Sequence, residues 1–226
     1  MLSKTAAGLL LGALLAACAA PPLPPPPQAA TPFDVADGYY RRAEATGQKV
    51  WRIDAPASLI RITVRRGGAL ARLGHDHIIA SRNINGFVAP QAGRADFQFR
   101  PDQLSVDEAP LRAQAGFDSQ PSVDAIDGTR RNMLTRVLDA QHFPLVLVHV
   151  TQTQNAPFQA TITLHGVTRT FDVAARSEAH GDGIVVSGTL SLKQSDFGIV
   201  PFSVLGGAIA VQDELELSFR IVAGRH

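Results

Sequence analysis

The chain has 226 residues, of which 45% are hydrophobic and 18% are charged, so most of it is expected to fold around a core. Twenty-one Lys and Arg residues against 20 Asp and Glu leave no basic excess, which argues against a protein that binds DNA or RNA. The single cysteine excludes an intramolecular disulfide bond and a cysteine-rich zinc site.

The first 17 residues have the layout of a secretory signal peptide. Lys4 precedes an apolar stretch over residues 6–17 that is too short to span a bilayer, and no later stretch is long enough. The string Leu15-Ala16-Ala17-Cys18 resembles the lipobox of bacterial lipoproteins, in which the signal is cut before the cysteine and the cysteine is acylated. We therefore expect a lipoprotein signal peptide over residues 1–17 and lipidation of Cys18. The alternative is an ordinary cleaved signal that leaves Cys18 near the mature start.

Residues 18–48 have the composition of a tether. Residues 19–32 contain seven of the 15 prolines of the chain, and such a segment favours an extended polyproline conformation. A short helix is predicted over residues 36–45 at the end of this segment. Ala19, rather than Asp, follows the cysteine, and by resemblance to lipoproteins of bacteria with two membranes this predicts a periplasm-facing protein anchored in the outer membrane.

From Lys49 onward, short segments alternate between apolar and polar residues, which is typical of half-buried strands. The apolar positions are Ile60, Ile62 and Val64; Phe97 and Phe99; Phe158, Ala160, Ile162 and Leu164; Phe171 and Val173; and Leu215, Leu217, Phe219 and Ile221. Residues 184–192 continue the pattern. Only residues 127–138 have clear helical spacing. About eight strands with one helical excursion predict an all-β domain over residues 49–226, either an antiparallel barrel or a sandwich.

Four short strings occur in the order found in the YceI-like family of periplasmic polyisoprenoid-binding, lipocalin-like proteins. They are WRID at 51–54, HFP at 142–144, LHGVTR at 164–169 and SDFGI at 195–199. Two further strings, LGHDH at 73–77 and PFSVLGG at 201–207, resemble a lipoprotein-type branch of that family. The resemblance implies an extended antiparallel eight-stranded β-barrel whose lumen holds a long isoprenoid or related amphiphilic lipid. No catalysis is established for that family as a class.

The strand residues alone leave two interpretations of the barrel interior. Aliphatic and aromatic side chains can wall a dry lumen for a lipid, and the same side chains can fill a core without a cavity. The family resemblance favours a cavity.

His75 and His77 are the most distinctive chemical feature of the sequence. In an extended segment these two side chains point the same way, so they are candidate ligands for a divalent metal. A zinc site needs at least one further protein ligand, for which His142, His149, His165 and Asp196 are candidates. The alternative is that both histidines hydrogen-bond the backbone, or a polar ligand group at the barrel mouth.

Other candidate ligand contacts lie in the two strings most typical of the family. The ligand-binding residues predicted in total are His75, His77, His165, Arg169, Ser195, Asp196 and Phe197. His165 also has a structural interpretation, as part of a tight turn in which Gly166 adopts a positive φ. Asp196 also has a structural interpretation, in which its side chain hydrogen-bonds the nearby backbone and stabilises a turn.

These observations predict a non-enzymatic, lipid-anchored carrier or storage protein for a polyisoprenoid or related lipid. No G-x-S-x-G string and no phosphate-binding glycine loop is present. Two other functions stay open: a metal-dependent enzyme or redox accessory that uses His75 and His77, and a scaffold that binds other envelope proteins rather than lipid.

Overall fold

The computed structural model describes residues 34–117, 119–153 and 156–225. The predicted signal peptide, Cys18 and most of the tether lie outside these residues. The strands are β1 Trp51–Ile53, β2 Leu59–Gly67, β3 His77–Ser81, β4 Asn85–Ala89, β5 Arg94–Phe99, β6 Ser105–Val106, β7 Val146–Thr151, β8 Phe158–Leu164, β9 Val167–His180, β10 Gly183–Lys193, β11 Ser203–Val204 and β12 Ile209–Gly224. The α-helices are α1 Asp34–Ala45, α2 Ala109–Gln114 and α3 Val123–Asn132.

Eight of the strands form a closed antiparallel barrel, as predicted. Their order around the barrel is β1, β4, β5, β7, β8, β9, β10 and β12, and β12 closes the ring by pairing with β1. The closing register places Arg52 opposite Gly224 and Ile53 opposite Ala223. Closure removes the unpaired edges that an open sheet would expose.

The long last strand also carries a side sheet. Along the same edge that meets β1, β12 pairs with β2, and β2 continues to β3 and β6. The register between β12 and β2 shifts between Val211 and Leu215, which marks a bulge. Bulges increase the local twist of a strand, and here the bulge lies at the start of the part of β12 that pairs with β10.

The period-two pattern of the sequence separates the inside of the barrel from the outside. On β5, Phe97 and Phe99 join the main hydrophobic core, whereas Asp96 makes hydrogen bonds on the outer face. Val148 and Val150 on β7 pack inward in the same way, and His149 between them points outward. Alternating apolar positions therefore build one continuous apolar interior.

The described residues form three α-helices, which pack on the barrel or on the side sheet. The predicted helix at 36–45 is confirmed as α1, which begins two residues earlier and packs Tyr40 against Phe87 and Ala89 on the outer face of β4. The predicted helix at 127–138 is α3, which begins at Val123 after the N-cap Ser122 and ends in a π-helical turn, Met133–Val137. The short helix α2 was not predicted; it packs Leu111 over Ile78 and Ala80. Among the described residues, none of the helices has the length and hydropathy of a membrane-spanning segment.

Candidate ligand-binding cavity

The barrel encloses an elongated cavity of about 470 Å³, which is in the range of small-molecule binding sites. Inward-facing residues of all eight barrel strands line it. Typical wall residues are Ile53, Val88, Phe97, Val148, Ile162, Val173, Leu190 and Phe219. Met133, Val137 and Leu138 add an apolar surface from the end of α3. The interior is therefore a cavity with apolar walls and not a completely filled core.

Few polar side chains reach this cavity. Among the described residues, His77 and Arg94 are the only lining residues with a side chain that can carry a charge. The Arg94 side chain lies on the outer face of β5, where its Nε donates to Asp96 Oδ2 over 2.7 Å and its guanidinium lies 4.1 Å from the centre of the Tyr39 ring. The uncharged polar lining residues are Thr129, Asn132, Gln152, Ser177 and Gln194.

His77 connects the cavity wall to a buried ion pair behind it. Its Nδ1 lies 2.6 Å from Asp107 Oδ2, and the other carboxylate oxygen accepts hydrogen bonds from Arg112 Nη1 at 2.6 Å and the Ile78 amide at 3.0 Å. The side chains of His77, Asp107 and Arg112 are 13%, 0% and 3% exposed. Arg112 also donates to the carbonyl oxygens of Asp76 and Ser119. This His77–Asp107–Arg112 cluster is the most buried group of ionisable side chains among the described residues.

The hydrogen bonds keep Asp107 ionised. Burial by itself raises the pKa of this carboxyl group, but the bonds from His77, the Ile78 amide and Arg112 outweigh burial and hold the pKa below its usual range. An ionised carboxylate can only accept hydrogen bonds, so the shared proton is on Nδ1 of His77. Nε2 is the remaining nitrogen of the ring, and it has no hydrogen-bond partner among the described residues.

Sequence reasoning missed Asp107 and Arg112, which hold His77 in place. Asp107 adopts a positive φ of 55° directly after β6, and α2 then presents Arg112 to it. Pro110 in the first turn of α2 was a usable local signal, since proline favours the start of a helix. His77 and Asp107 are 30 positions apart in the sequence, and no motif with that spacing indicated that they would pair.

The structure does not bring His75 into the same arrangement. His75 is exposed and precedes β3, and its ring centre is 6.3 Å from that of His77. Asp76 points away, where its carboxylate accepts from the Arg66 amide and lies near the Arg65 guanidinium. No group of three or more His, Cys, Asp or Glu residues suited to a metal ion occurs in the described parts of the chain. A metal bound by His75 and His77 stays a prediction.

The other candidate metal ligands lie apart from this cluster. His142 contacts Asp139 in an exposed loop. His149 on β7 contacts Asp96 on the neighbouring strand β5, on the outer face of the barrel.

His165 and Arg169 lie at the β8–β9 connection. His165 and Gly166 have φ values of 51° and 75° and form the tight turn that the sequence predicts. The His165 ring packs 4.4 Å from the ring centre of Phe143. Arg169 is exposed, and its Nη1 donates to the carbonyl of Thr168. Neither side chain lines the cavity, so a role of either in binding a ligand stays a prediction.

Ser195, Asp196 and Phe197 form a short helical turn after β10. The Ser195 hydroxyl and amide both donate to the Asp213 carboxylate, over 2.5 and 2.8 Å. Phe197 is fully buried beside Phe171, with ring centres 6.0 Å apart. These contacts fix the turn that follows β10, and none of the three residues lines the cavity.

Comparisons with known proteins agree with this geometry. The family model described as the YceI-like domain matches residues 51–223. A polyisoprenoid binding domain from Saccharophagus degradans, implicated in plant cell wall breakdown, superposes with a TM-score of 0.57 at 14% identity, covering 78% of this chain and 98% of that one. BcnA from Burkholderia cenocepacia has a TM-score of 0.50 at 14% identity, with 75% and 98% covered. No curated protein sequence matches the chain closely enough to count as a relative.

Proposed function

Since the chain belongs to the YceI-like domain family, we propose that it binds one long apolar chain, a polyisoprenoid or a related amphiphilic lipid, inside the barrel. The observation that carries this proposal is the elongated cavity with its apolar wall. Burial of an apolar chain against an aliphatic or aromatic wall removes its surface from water. This contributes a favourable free energy of about 25 cal/mol per Å² of buried apolar surface. The structural neighbour described as a polyisoprenoid binding domain supports the same ligand class.

The role that fits such binding is transport or storage without catalysis. Long acyl and isoprenoid chains are insoluble in water. A protein that encloses such a chain therefore allows it to leave a membrane. Among the described residues, His77 Nε2 is one polar atom of a lining side chain that has no hydrogen-bond partner, and the proposed role needs only that such a group contact a head group.

The location proposed for this carrier is the periplasm, with lipidated Cys18 anchoring it to the outer membrane. The lipobox-like string before Cys18 supports the anchor, and the proline-rich segment after it supports a tether. Two or more acyl chains hold a protein on a membrane far more firmly than one chain does. Intact-mass measurement of the membrane-extracted protein tests this: the wild type should carry the added acyl mass and Cys18→Ser should lack it. An unmodified wild-type cysteine would overturn the proposed anchor.

The binding role is tested by extracting the purified protein with organic solvent and analysing the extract by mass spectrometry. We expect about one equivalent of a long-chain isoprenoid or similar lipid per protein. A protein that carries no lipid and does not bind fluorescent lipid analogues would contradict the proposed function.

A further inference from the structure

Two loops at one end of the barrel carry exposed apolar side chains. One is residues 68–74, between β2 and β3, and the other is residues 199–211, from the turn after β10 to the start of β12. Four large apolar side chains are exposed among the described residues, and three of them belong to these loops: Leu73, Val200 and Leu205, with 60%, 80% and 72% of their surface exposed. Single exposed apolar residues are ordinary, whereas a group of them on adjoining loops indicates an interaction surface.

Backbone contacts hold the two loops together. The Leu70 amide donates to the Ala208 carbonyl oxygen over 2.7 Å, and the Val211 amide donates to the Phe202 carbonyl oxygen over 3.0 Å. Gly68 allows the close approach, because it adopts a φ of 85° and a Cβ there would lie 2.5 Å from the Ala208 carbonyl oxygen. Residues 68–74 and 199–211 therefore form one surface, the apolar tip.

The backbone of the apolar tip presents a leucine to solvent in an unfavourable conformation. Leu205, Gly206 and Gly207 have φ values of 52°, 64° and 90°. Glycine adopts such values without steric conflict, but in leucine the Cβ approaches the backbone carbonyl oxygen. Leu205 strains the backbone and gains no burial in return, so its side chain does not stabilise the folded chain. Strained residues of this kind cluster at functional sites, which favours a partner that covers Leu205.

The apolar tip is continuous with the cavity. Phe202 and Val211 belong to the tip and also line the cavity. Phe202 is half-buried, and the guanidinium of Arg136 lies 4.8 Å from the centre of its ring. An apolar phase in contact with the tip would therefore adjoin the apolar wall of the cavity.

The charges around the apolar tip suit a bilayer surface. Residues 199–211 contain no charged side chain. Arg72 and Arg136 are exposed beside the tip, and neither has a carboxylate partner in the part of the chain that the structure describes. The acidic residues nearest to the tip along the chain are Asp76, Asp196 and Asp213. Asp76 is paired with arginines of β2, and Asp213 accepts hydrogen bonds from Ser195. Aliphatic side chains next to arginines are typical of segments that lie in a membrane interface, where the arginines meet lipid phosphates.

We propose that the apolar tip docks on the surface of a lipid bilayer, with Leu73, Val200 and Leu205 in the acyl region, and that lipid passes between the bilayer and the cavity beside Phe202. The inference rests on the proposed function, because a bilayer is where a lipid carrier loads and unloads.

Flotation with vesicles of phosphatidylcholine and phosphatidylglycerol tests the docking. The reference protein is residues 18–226 with Cys18→Ser, so that neither an apolar leader nor an acyl chain binds the vesicles, and it should float with them. Leu73→Ser combined with Leu205→Asn should lower its partition coefficient by about tenfold or more, because two leucines no longer leave water. Asparagine tolerates a positive φ, so this variant should keep the thermal stability of the reference protein. The control is Val123→Ser, which removes an equally exposed side chain from the start of α3 and should leave the coefficient unchanged.

A reference protein that does not float, or a double variant that floats equally well, would overturn the inference. Sedimentation velocity identifies the other occupant of the tip: a mass that halves in the double variant would assign the tip to a contact between two copies of this chain and would also overturn it. The proposed function is scored separately, by binding of a fluorescent lipid analogue in the cavity. If the reference protein floats but binds no analogue, the proposed function fails and the docking surface stands.

Discussion

Tyr40 of α1 donates a hydrogen bond of 2.7 Å to Asp96 on the outer face of β5. The same carboxylate accepts from Arg94 Nε and His149 Nδ1, each also at 2.7 Å. The Tyr40 ring is buried and stacks on Phe87 at 5.2 Å between ring centres. Burial and the nearby Asp96 carboxylate raise the pKa of the Tyr40 hydroxyl far above its usual range, so the hydroxyl stays a donor. This contact holds the first described helix against the barrel.

Removing the Tyr40 hydroxyl should loosen α1. We expect Tyr40→Phe to lower the free energy of unfolding by about 1 to 2 kcal/mol, because a charge-assisted hydrogen bond is lost while the ring packing is kept. Limited proteolysis should also cut within residues 34–45 more rapidly. Tyr39→Phe is the matched control, since the Tyr39 hydroxyl has no hydrogen-bond partner in the part of the chain that the structure describes. Equal stability of the Tyr40→Phe variant and the wild type in urea would contradict this account of α1.

Asp107 should be a major determinant of stability. Asp107→Asn leaves the buried Arg112 without its carboxylate, and we expect a loss of about 3 kcal/mol at pH 7, measured by urea unfolding. Asp102→Asn is the control, because both side chains of the Asp102–Arg100 ion pair are exposed to solvent. Its substitution should change stability by no more than about 0.5 kcal/mol. A loss no larger for Asp107→Asn than for Asp102→Asn would show that the buried cluster is not stabilising.

The same carboxylate predicts a pH dependence. The pKa of Asp107 is lower in the folded protein than in the unfolded chain, so its contribution is present above the unfolded value of roughly 4. That contribution is lost as the pH falls through the folded value. Urea unfolding between pH 7 and pH 3 should therefore show a smaller loss of stability on acidification for Asp107→Asn than for the wild type. Parallel curves for the two proteins would contradict the depressed pKa.

Gly86 allows β4 and β5 to approach closely. A Cβ at this position would lie 2.4 Å from both the Asp96 carbonyl oxygen and the Phe97 Cβ. We expect Gly86→Ala to cost about 3 kcal/mol or more, because backbone must move to relieve the overlap. Gly128→Ala in α3 is the control, since its Cβ would meet no other described atom within 4 Å. The control should stabilise the protein by up to about 1 kcal/mol through helix propensity, and thermal unfolding of both variants compares the two effects. Similar melting temperatures for the two variants would refute the close approach.

The sequence predicts the strands well because each strand has one apolar face, and a period of two is visible locally. The choice of a barrel over a sandwich comes from the family resemblance, because the pattern of single strands does not show how they pair. The turn at His165 and Gly166 is also predictable from local sequence, because two adjacent residues define it. The helix α2 is not, because six residues are too few for a periodic signal and packing of Leu111 on the side sheet stabilises it. The residues around His77 are still harder to predict. His75 and His77 look equivalent in the sequence, and only the start of β3 at His77 and the long-range contact with Asp107 distinguish them.

The central claim is that a lipid chain occupies the barrel, and two neighbouring alanines of β9 test it directly. Ala175 lines the cavity, whereas Ala174 is exposed on the outer face. Native mass spectrometry of the gently purified protein should show a bound lipid in the wild type and in Ala174→Phe, and bare polypeptide in Ala175→Phe, whose ring fills part of the cavity. A lipid that persists in Ala175→Phe, or a wild-type protein without any bound lipid, would contradict the account.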